Sequence, residues 1–226
     1  MSYLVITTVG TSALDCDKVT TITDNGLRSW AATKDEEFNE DVRMERALGD
    51  EVARLFEAKV ARNRLPAEIA SLWLIRHHYQ IARSDGSRFV FLSSQTAKGK
   101  SCAAAVAHAF RKIFPDCDCA LAECPHVVLR CIEGVQHKDA QRFSQGVNVR
   151  LPAIIREEKT AFIAEHPGVE ENMLFNFTGS YKGLIPFAAA HCTTYSFKML
   201  YLFEDAKVLF LKEPNEAELI PLPDGA

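Results

Sequence analysis

The sequence predicts an α/β protein built around a mostly parallel, doubly wound β-sheet with a C-terminal β-hairpin. Short apolar runs rich in Val, Ile, Leu and Phe have the length and composition of buried strands. These runs alternate with longer segments of helical periodicity, an order typical of parallel strands in one sheet. Two further apolar runs, 198–203 and 207–211, flank Glu204, Asp205 and Ala206, a spacing that indicates the closing hairpin.

The remaining elements follow along the chain. We expect strands at 3–9, 88–92, 127–132 and 174–177, and helices at 41–64, 67–82, 97–113 and from 182 onward. A helix containing Phe143 and Leu151 is expected to be interrupted around 146–152, because Gly146 and Pro152 lie there. Residues 15–39 are polar and without clear period, so they predict a long, mobile surface loop.

The composition is that of an ordinary globular protein, for which the cytoplasm is the default location. With 226 residues, 47% hydrophobic and 25% charged, the chain suits one large domain spanning 1–226, which includes the helical segment 41–82. No apolar run approaches the roughly 20 residues of a membrane span, and the start MSYLVITTVG lacks the basic segment of a signal peptide. A net charge of −4 argues against binding long nucleic acid, yet it allows a small anion in a local positive pocket.

The cysteines predict reduced thiols and neither a disulfide framework nor a metal site. There are seven of them, an odd number, without a secretion signal. Cys117, Cys119, Cys124 and Cys131, with His126 nearby, lack the two Cys-x-x-Cys pairs typical of structural zinc. We therefore expect no metal and no other cofactor.

Small and polar residues follow four of the predicted strands and form the candidate site. The carboxyl ends of parallel strands meet at one edge of a sheet, where open α/β proteins bind ligands. We expect the four turns to gather at this edge and to favour a phosphate or nucleotide ligand. The candidate residues in them are Gly10, Thr11, Ser12, Ser94, Gln95, Thr96, Gly134, Gln136, Thr178, Gly179, Ser180, Tyr181 and Lys182.

The stretch 174–190 carries the clearest of these turns. An apolar run leads into a small, hydroxyl-rich turn, and an apolar helix follows with Pro186 in its first turn, where proline is tolerated. Unpaired N–H groups at a helix N-terminus suit a phosphate, and Lys182, Thr178 and Ser180 add a charge and two hydroxyl donors. The same pattern also fits an ordinary strand-to-helix connection.

One short motif is similar to part of a nucleotide-binding loop. Gly99-Lys100-Ser101 resembles the end of a Walker phosphate-binding loop, but the glycine that this loop needs five residues earlier is Ser94. We therefore do not expect an ATPase. An unrelated Rossmann enzyme of nucleotide metabolism would need a metal or a dinucleotide fingerprint, and the chain has neither a clustered acidic metal motif nor GxGxxG after a strand.

Taken together, these motifs resemble the stand-alone CARF-domain proteins of type III CRISPR systems, specifically those similar to ring nucleases. The resembling segments occur in the family's order across nearly the whole chain. They are ITTVGTSAL at 6–14, AEIASL at 67–72, FLSSQTAKGKSCA at 91–103, IEGVQHKDAQRFSQGV at 132–147, NFTGSYKGLIPFAAA at 176–190 and YLFEDAKVLFLKEP at 201–214.

The resemblance implies a Rossmann-like homodimer that binds a cyclic oligoadenylate, cyclic tetra-adenylate in particular, across its two-fold axis. The family includes metal-independent phosphodiesterases that linearise this second messenger. By this resemblance, the catalytic residues are Ser12, which matches the polar residue of the family's first turn, and Lys182, which matches the lysine of its TGGxK-type turn. Asn176, the first residue of the resembling segment 176–190, is also a candidate ligand-binding residue.

Two departures from the family pattern leave a second function open. The family usually has a second glycine after the threonine, where this chain has Ser180, and often an Asp where this chain has Gln95. Either change is compatible with a sensor that holds the ring without cutting it and acts through a separate partner. The stretch beyond Leu211 is too short for an effector domain, a feature that favours the enzyme.

Overall fold

A computed structural model of the chain describes residues 1–14, 24–58, 65–81, 85–114, 126–135, 139–179, 182–202, 208–212 and 217–221. The strands within these residues are β1 (Leu4–Thr8), β2 (Arg88–Ser94), β3 (Val127–Ile132), β4 (Met173–Asn176), β5 (Lys198–Leu202), β6 (Val208–Lys212) and β7 (Ala217–Pro221). The helices are α1 (Asn25–Ala32), α2 (Val42–Glu57), α3 (Ala67–His78), α4 (Ala97–Ile113), α5 (Ala140–Gln145), α6 (Leu151–Glu165) and α7 (Ile185–Tyr195).

These strands form one sheet in the order β3-β2-β1-β4-β5-β6-β7. Strands β1 to β5 are parallel to one another, whereas β6 pairs antiparallel with both β5 and β7. The order reverses at β1, which lies between β2 and β4, so chain connections leave the centre in both directions. This confirms the predicted mostly parallel, doubly wound sheet and its C-terminal hairpin.

The sheet separates two apolar layers. On one face, α1 to α4 pack their buried residues against Val5, Phe89 and Phe91. On the other face, α6 and α7 cover Ile6 and Phe175. Strand β1 is buried on both faces, which is why its sequence is a continuous apolar and threonine run rather than an alternating one. Within the described part of the chain, no helix combines the length and apolar character needed to cross a membrane.

The structure differs from the sequence predictions in two places, and it gives the predicted helix interruption a specific form. The expected loop 15–39 contains helix α1, whose N-cap Asp24 accepts hydrogen bonds from two backbone N–H groups; residues 15–23 lie outside the described residues. The predicted interruption at 146–152 is present, in the form of a π-helical turn, Gly146–Arg150, that separates α5 from α6. Strand β7, which pairs with β6 at the sheet edge, was not predicted at all.

Several predicted boundaries shift. Strand β2 continues two residues further than expected, to Ser94. Helix α2 ends at Glu57 and α3 ends at His78, before the positive φ of Gln80. The residues beyond α2 at 59–64 and the end of the predicted second helix at 82 lie outside the described residues.

Candidate functional site

The carboxyl ends of β1 to β4 lie side by side, so the four predicted turns share one edge of the sheet. Thr7 near the end of β1 is in register with Asn176, the last residue of β4. Ser94 at the end of β2 is in register with Ile132 at the end of β3. The convergence expected from strand polarity is therefore present in the fold.

The turns that follow β1 and β4 are in direct backbone contact. A Cβ atom on Gly10 would overlap the carbonyl oxygen of Gly179, and a Cβ atom on Gly179 would fall within the carboxyl group of Glu68. Glycine at position 10 therefore permits the two backbones to approach, and glycine at position 179 leaves room for the Glu68 side chain. The first and last of the four turns thus form one unit at the centre of the sheet.

Asn176 fixes the conformation of the turn after β4. Its Oδ1 accepts hydrogen bonds from the backbone N–H of Thr178 at 3.1 Å and from the Thr178 hydroxyl at 2.7 Å. Its Nδ2 donates to Ser71 Oγ at 2.8 Å, and Thr178 Oγ1 accepts from the backbone N–H of Leu202 at 2.9 Å. Asn176 is fully buried, so its amide holds the turn together from inside the protein.

The first turn of α3 supports both of these turns. The Gly10 N–H donates to Glu68 Oε1 at 2.9 Å, and Ser71, the hydroxyl partner of Asn176, donates to the carbonyl oxygen of Glu68 at 3.1 Å. Both side chains are fully buried. A carboxylate is favoured here because the first turn of a helix has unpaired N–H groups and the positive end of the dipole.

The turns after β2 and β3 are joined by a side chain. Gln95 Oε1 accepts a hydrogen bond from the Gly134 N–H at 2.9 Å. Thr96 is the N-cap of α4, where its Oγ1 accepts from the Gly99 N–H at 3.1 Å and lies 2.9 Å from Ser94 Oγ. These candidate residues therefore order the edge of the sheet through contacts with one another.

The two candidate catalytic residues follow the central pair of turns. The backbone of Ser12 begins a 3-10 turn, Ser12–Leu14, after the exposed Thr11. Lys182 is exposed and begins a second 3-10 turn, Lys182–Leu184, which leads directly into α7. The side chain of Ser12 and the candidates Gln136, Ser180 and Tyr181 lie outside the described residues.

The lysines that open α4 are paired with acidic residues that precede α2. Lys98 Nζ lies 2.8 Å from Asp35 Oδ1, and Lys100 Nζ lies 3.1 Å from Glu40 Oε1. The hydrogen bond to Glu40 raises the pKa of the Lys100 ammonium group. These pairs hold the segment before α2 against the start of α4.

The Walker-like residues are used for packing. Ser101 is fully buried and its hydroxyl donates to Glu45 Oε1 at 2.6 Å, a bond that ties α4 to α2. A Walker loop presents this hydroxyl to a nucleotide-bound metal ion. The geometry therefore agrees with the expectation that Gly99-Lys100-Ser101 is not a nucleotide-binding loop.

The described residues contain no group of three or more His, Cys, Asp and Glu side chains arranged to hold a metal ion. Cys117, Cys119 and Cys124 lie outside the described residues, whereas Cys131 is a half-buried free thiol on β3. Partial burial raises the pKa of the Cys131 thiol.

Sequence reasoning missed Glu68 and Ser71. Their signal is present, since both are polar residues three apart in the otherwise apolar stretch AEIASL, and that spacing places them on one face of a helix. A polar pair on a buried helical face must find partners inside the protein. Only the fold shows that those partners are the turns after β1 and β4.

Most of the chain matches a known protein family. Residues 63–211, more than half of the chain, match the family described as CRISPR-associated protein (Cas_APE2256). The matched region includes Glu68, the turns after β2 to β4 and Lys182, and it begins after the turn at 10–12. No curated protein matches the chain. The chain belongs to this CRISPR-associated family.

Proposed function

We propose that the protein is a metal-independent ring nuclease that binds and linearises a cyclic oligoadenylate, cyclic tetra-adenylate in particular, and so switches off type III CRISPR signalling in the cytoplasm. Membership of a CRISPR-associated family supports the biological setting. The resemblance of the strand-end motifs to CARF ring nucleases supports the ligand and the reaction.

The observation that carries the proposal is the contact between the turns after β1 and β4. A side chain on Gly10 would clash with the Gly179 carbonyl oxygen, and a side chain on Gly179 would clash with the Glu68 carboxyl group. Ser12 and Lys182, the two residues that the resemblance assigns to catalysis, follow these glycines by two and three residues. A phosphate at this edge would meet the Lys182 ammonium group and the N–H groups that precede α7.

The proposed reaction uses a nucleophile from the substrate. A ribose 2′-oxygen attacks the adjacent 3′-phosphate and loses its proton, the bond between phosphorus and the 5′-oxygen breaks, and that oxygen takes up a proton. The products carry a 2′,3′-cyclic phosphate and a free 5′-hydroxyl group. The protein contributes alignment of the attacking and leaving oxygens, and Lys182 stabilises the negative charge that develops on the phosphorus oxygens. Ser12 orients the 2′-hydroxyl group or donates to a phosphate oxygen.

We further propose that two copies act together around a two-fold axis. A symmetric ring has repeated phosphates, and an isologous dimer would present the same strand-end turns to opposite sides of it. Sedimentation of the free protein and of the protein with the ring tests this directly. A monomer under both conditions that still cleaves the ring would contradict the dimer.

The deciding experiment is incubation of the purified protein with cyclic tetra-adenylate in excess EDTA, followed by chromatography and mass spectrometry. We expect linear di-adenylate ending in a 2′,3′-cyclic phosphate. An intact ring that raises the melting temperature would identify a non-cleaving sensor instead. If the protein neither binds nor cleaves rings of any size, the proposal is wrong.

A further inference from the structure

We propose that Glu68 is a positioning residue that sets the relative placement of the turns after β1 and β4. The inference rests on the proposed function, because it assigns Glu68 a role in the reaction at that same edge. Glu68 lies in the first turn of α3, outside the four strand-end turns.

The contacts of Glu68 reach both turns. Its Oε1 accepts the hydrogen bond from the Gly10 N–H at 2.9 Å. The same carboxyl group occupies the space into which a Gly179 side chain would project. The Glu68 side chain is fully buried, so it has no room to swing aside. Any displacement of this carboxyl group therefore moves Gly10, Gly179 or both.

The backbone of Glu68 extends the connection. Its carbonyl oxygen accepts from Ser71 Oγ at 3.1 Å, Ser71 Oγ accepts from Asn176 Nδ2 at 2.8 Å, and Asn176 Oδ1 accepts from Thr178. One turn of α3 thus contacts the β1 turn through Glu68 and the β4 turn through Ser71. The turns carrying Ser12 and Lys182 are held by a common support.

A buried carboxylate beside a site for a polyanion needs an explanation, because its charge would repel phosphates at short range. The positioning role supplies one, since a carboxyl oxygen is the group that accepts the hydrogen bond from the half-buried Gly10 N–H. This role requires an acceptor and the correct side-chain length, not a titrating proton. Glu68→Gln keeps the acceptor and the length, whereas Glu68→Ala removes both.

The first test compares these two variants in single-turnover cleavage of cyclic tetra-adenylate. We expect Glu68→Ala to slow cleavage by roughly tenfold to a hundredfold, the effect of misaligned reacting groups, with binding of the ring weakened far less. Glu68→Gln should retain most of the rate and the pH profile of the parent. If Glu68→Gln loses as much rate as Glu68→Ala, the carboxylate acts through its charge or its proton, and the positioning role is overturned.

The second test is a double-variant cycle with a matched control. Gly179→Ala should be damaging in the parent, because its Cβ meets the Glu68 carboxyl group, but should cost little further rate in the Glu68→Ala background. Gly146→Ala is the control, because its Cβ would also crowd a carbonyl oxygen, that of Glu133 at 2.7 Å, but its nearest neighbours belong to residues 133–135 and not to Glu68. Any effect of this variant should be the same in both backgrounds. Equal costs of Gly179→Ala in both backgrounds would contradict the inference.

A third measurement separates this inference from the proposed function. Hydrogen exchange at the Gly10 amide, followed by NMR without any ligand, should be faster in Glu68→Ala than in the parent and near the parent rate in Glu68→Gln. Unchanged exchange in a folded Glu68→Ala protein overturns the positioning role, whatever the activity. If exchange is faster in Glu68→Ala but the parent protein neither binds nor cleaves a ring, the positioning role of Glu68 is correct and the ring nuclease proposal is wrong.

Discussion

At the scale of single residues, the conformation of the strand-end turns depends on buried polar side chains that form hydrogen bonds with other protein groups. Asn176 illustrates this, because its Oδ1 accepts from Thr178 while its Nδ2 donates to Ser71. An amide is the side-chain group that supplies both an acceptor and donors in so small a volume. A carboxylate in its place would retain the contacts to Thr178 and lose the donation to Ser71.

Replacing Asn176 with Asp is therefore expected to lower the free energy of unfolding by about 1–3 kcal/mol, the typical effect of leaving a buried group unsatisfied. Urea denaturation measures it. Asn148→Asp is the matched control, because Asn148 Nδ2 also donates to a serine hydroxyl, that of Ser144 at 3.2 Å, but is exposed. We expect this control to stay within about 0.5 kcal/mol of the parent. Equal stability of the two variants would show that burial does not matter at Asn176.

Lys182 contrasts with Asn176 because it is exposed, so its loss should affect the reaction rather than the fold. Lys182→Ala is expected to slow ring cleavage by roughly a hundredfold to a thousandfold, the effect of removing one donor to a developing charge, with a smaller loss of affinity and an unchanged melting temperature. Single-turnover rates and ligand titration measure the two effects.

The control for Lys182 is Lys212→Ala. Lys212 is also exposed but is in register with Met199 near the start of β5, away from the carboxyl end of the strand. This variant should cleave at the parent rate. Equal losses of rate and affinity in Lys182→Ala would make Lys182 a binding residue only.

At the scale of elements, capping residues determine where helices begin. Asp41 caps α2 by accepting hydrogen bonds from the N–H groups of Arg43 and Met44. The bond from Arg43 is the main cause of a lowered pKa of the Asp41 carboxyl group; slight desolvation opposes it, and the Met44 bond adds to it. A lowered pKa in the folded state means that the charged cap stabilises the fold.

The pH dependence of this cap has a defined sign. The stabilisation by charged Asp41 should be complete above its ordinary pKa of 3.8 and should disappear as the pH falls through the lower value of the folded state. Asp41→Asn keeps a capping oxygen but cannot ionise. The difference in unfolding free energy between the parent and Asp41→Asn, measured by urea denaturation from pH 6 to pH 2.5, should therefore shrink toward acid. A difference independent of pH would contradict this explanation.

Elements with strong local signals could be predicted from the sequence. Helix α4 matches its predicted bounds because Thr96 caps it and an alanine-rich stretch follows. Strand β7 was missed because it pairs on one side only and leaves Leu219 exposed, so its sequence lacks a buried pattern. Helix α1 was missed because it buries only Leu27 and Ala31.

Gly146 marks the predicted interruption of the α-helix, but the sequence did not show that the interruption is a π-turn. A Cβ at this position would lie 2.7 Å from the Glu133 carbonyl oxygen, so the glycine allows the π-turn to approach the end of β3. The turns of the candidate site could be found because strand ends carry local signals. Their common support in α3 depends on contacts between residues distant in sequence, such as Glu68 with Gly10 and Ser71 with Asn176, which only the fold reveals.

At the scale of the whole molecule, one sheet lies between two apolar layers and contributes side chains to both of them. Cys102 is fully buried in the layer with α1 to α4, and Cys192 is fully buried in the layer with α6 and α7. Burial is the main cause that raises the pKa of both thiols far above the ordinary value, so neither forms the reactive thiolate while the protein is folded. Each cysteine therefore reports the opening of its own layer.

Because the strands between the layers are shared, we expect both layers to open in the same cooperative event. Alkylation of Cys102 and Cys192, followed by peptide mass spectrometry across a urea series, should give the same free energy of opening at both sites. Half-buried Cys131 on the edge strand β3 is the internal control and should react at lower urea. If Cys192 reacts well before Cys102, the α6–α7 layer detaches while the α1–α4 layer stays folded. Because β4 and Lys182 connect α6 to α7, that result would place Lys182, the proposed catalytic lysine, in the less stable half of the fold.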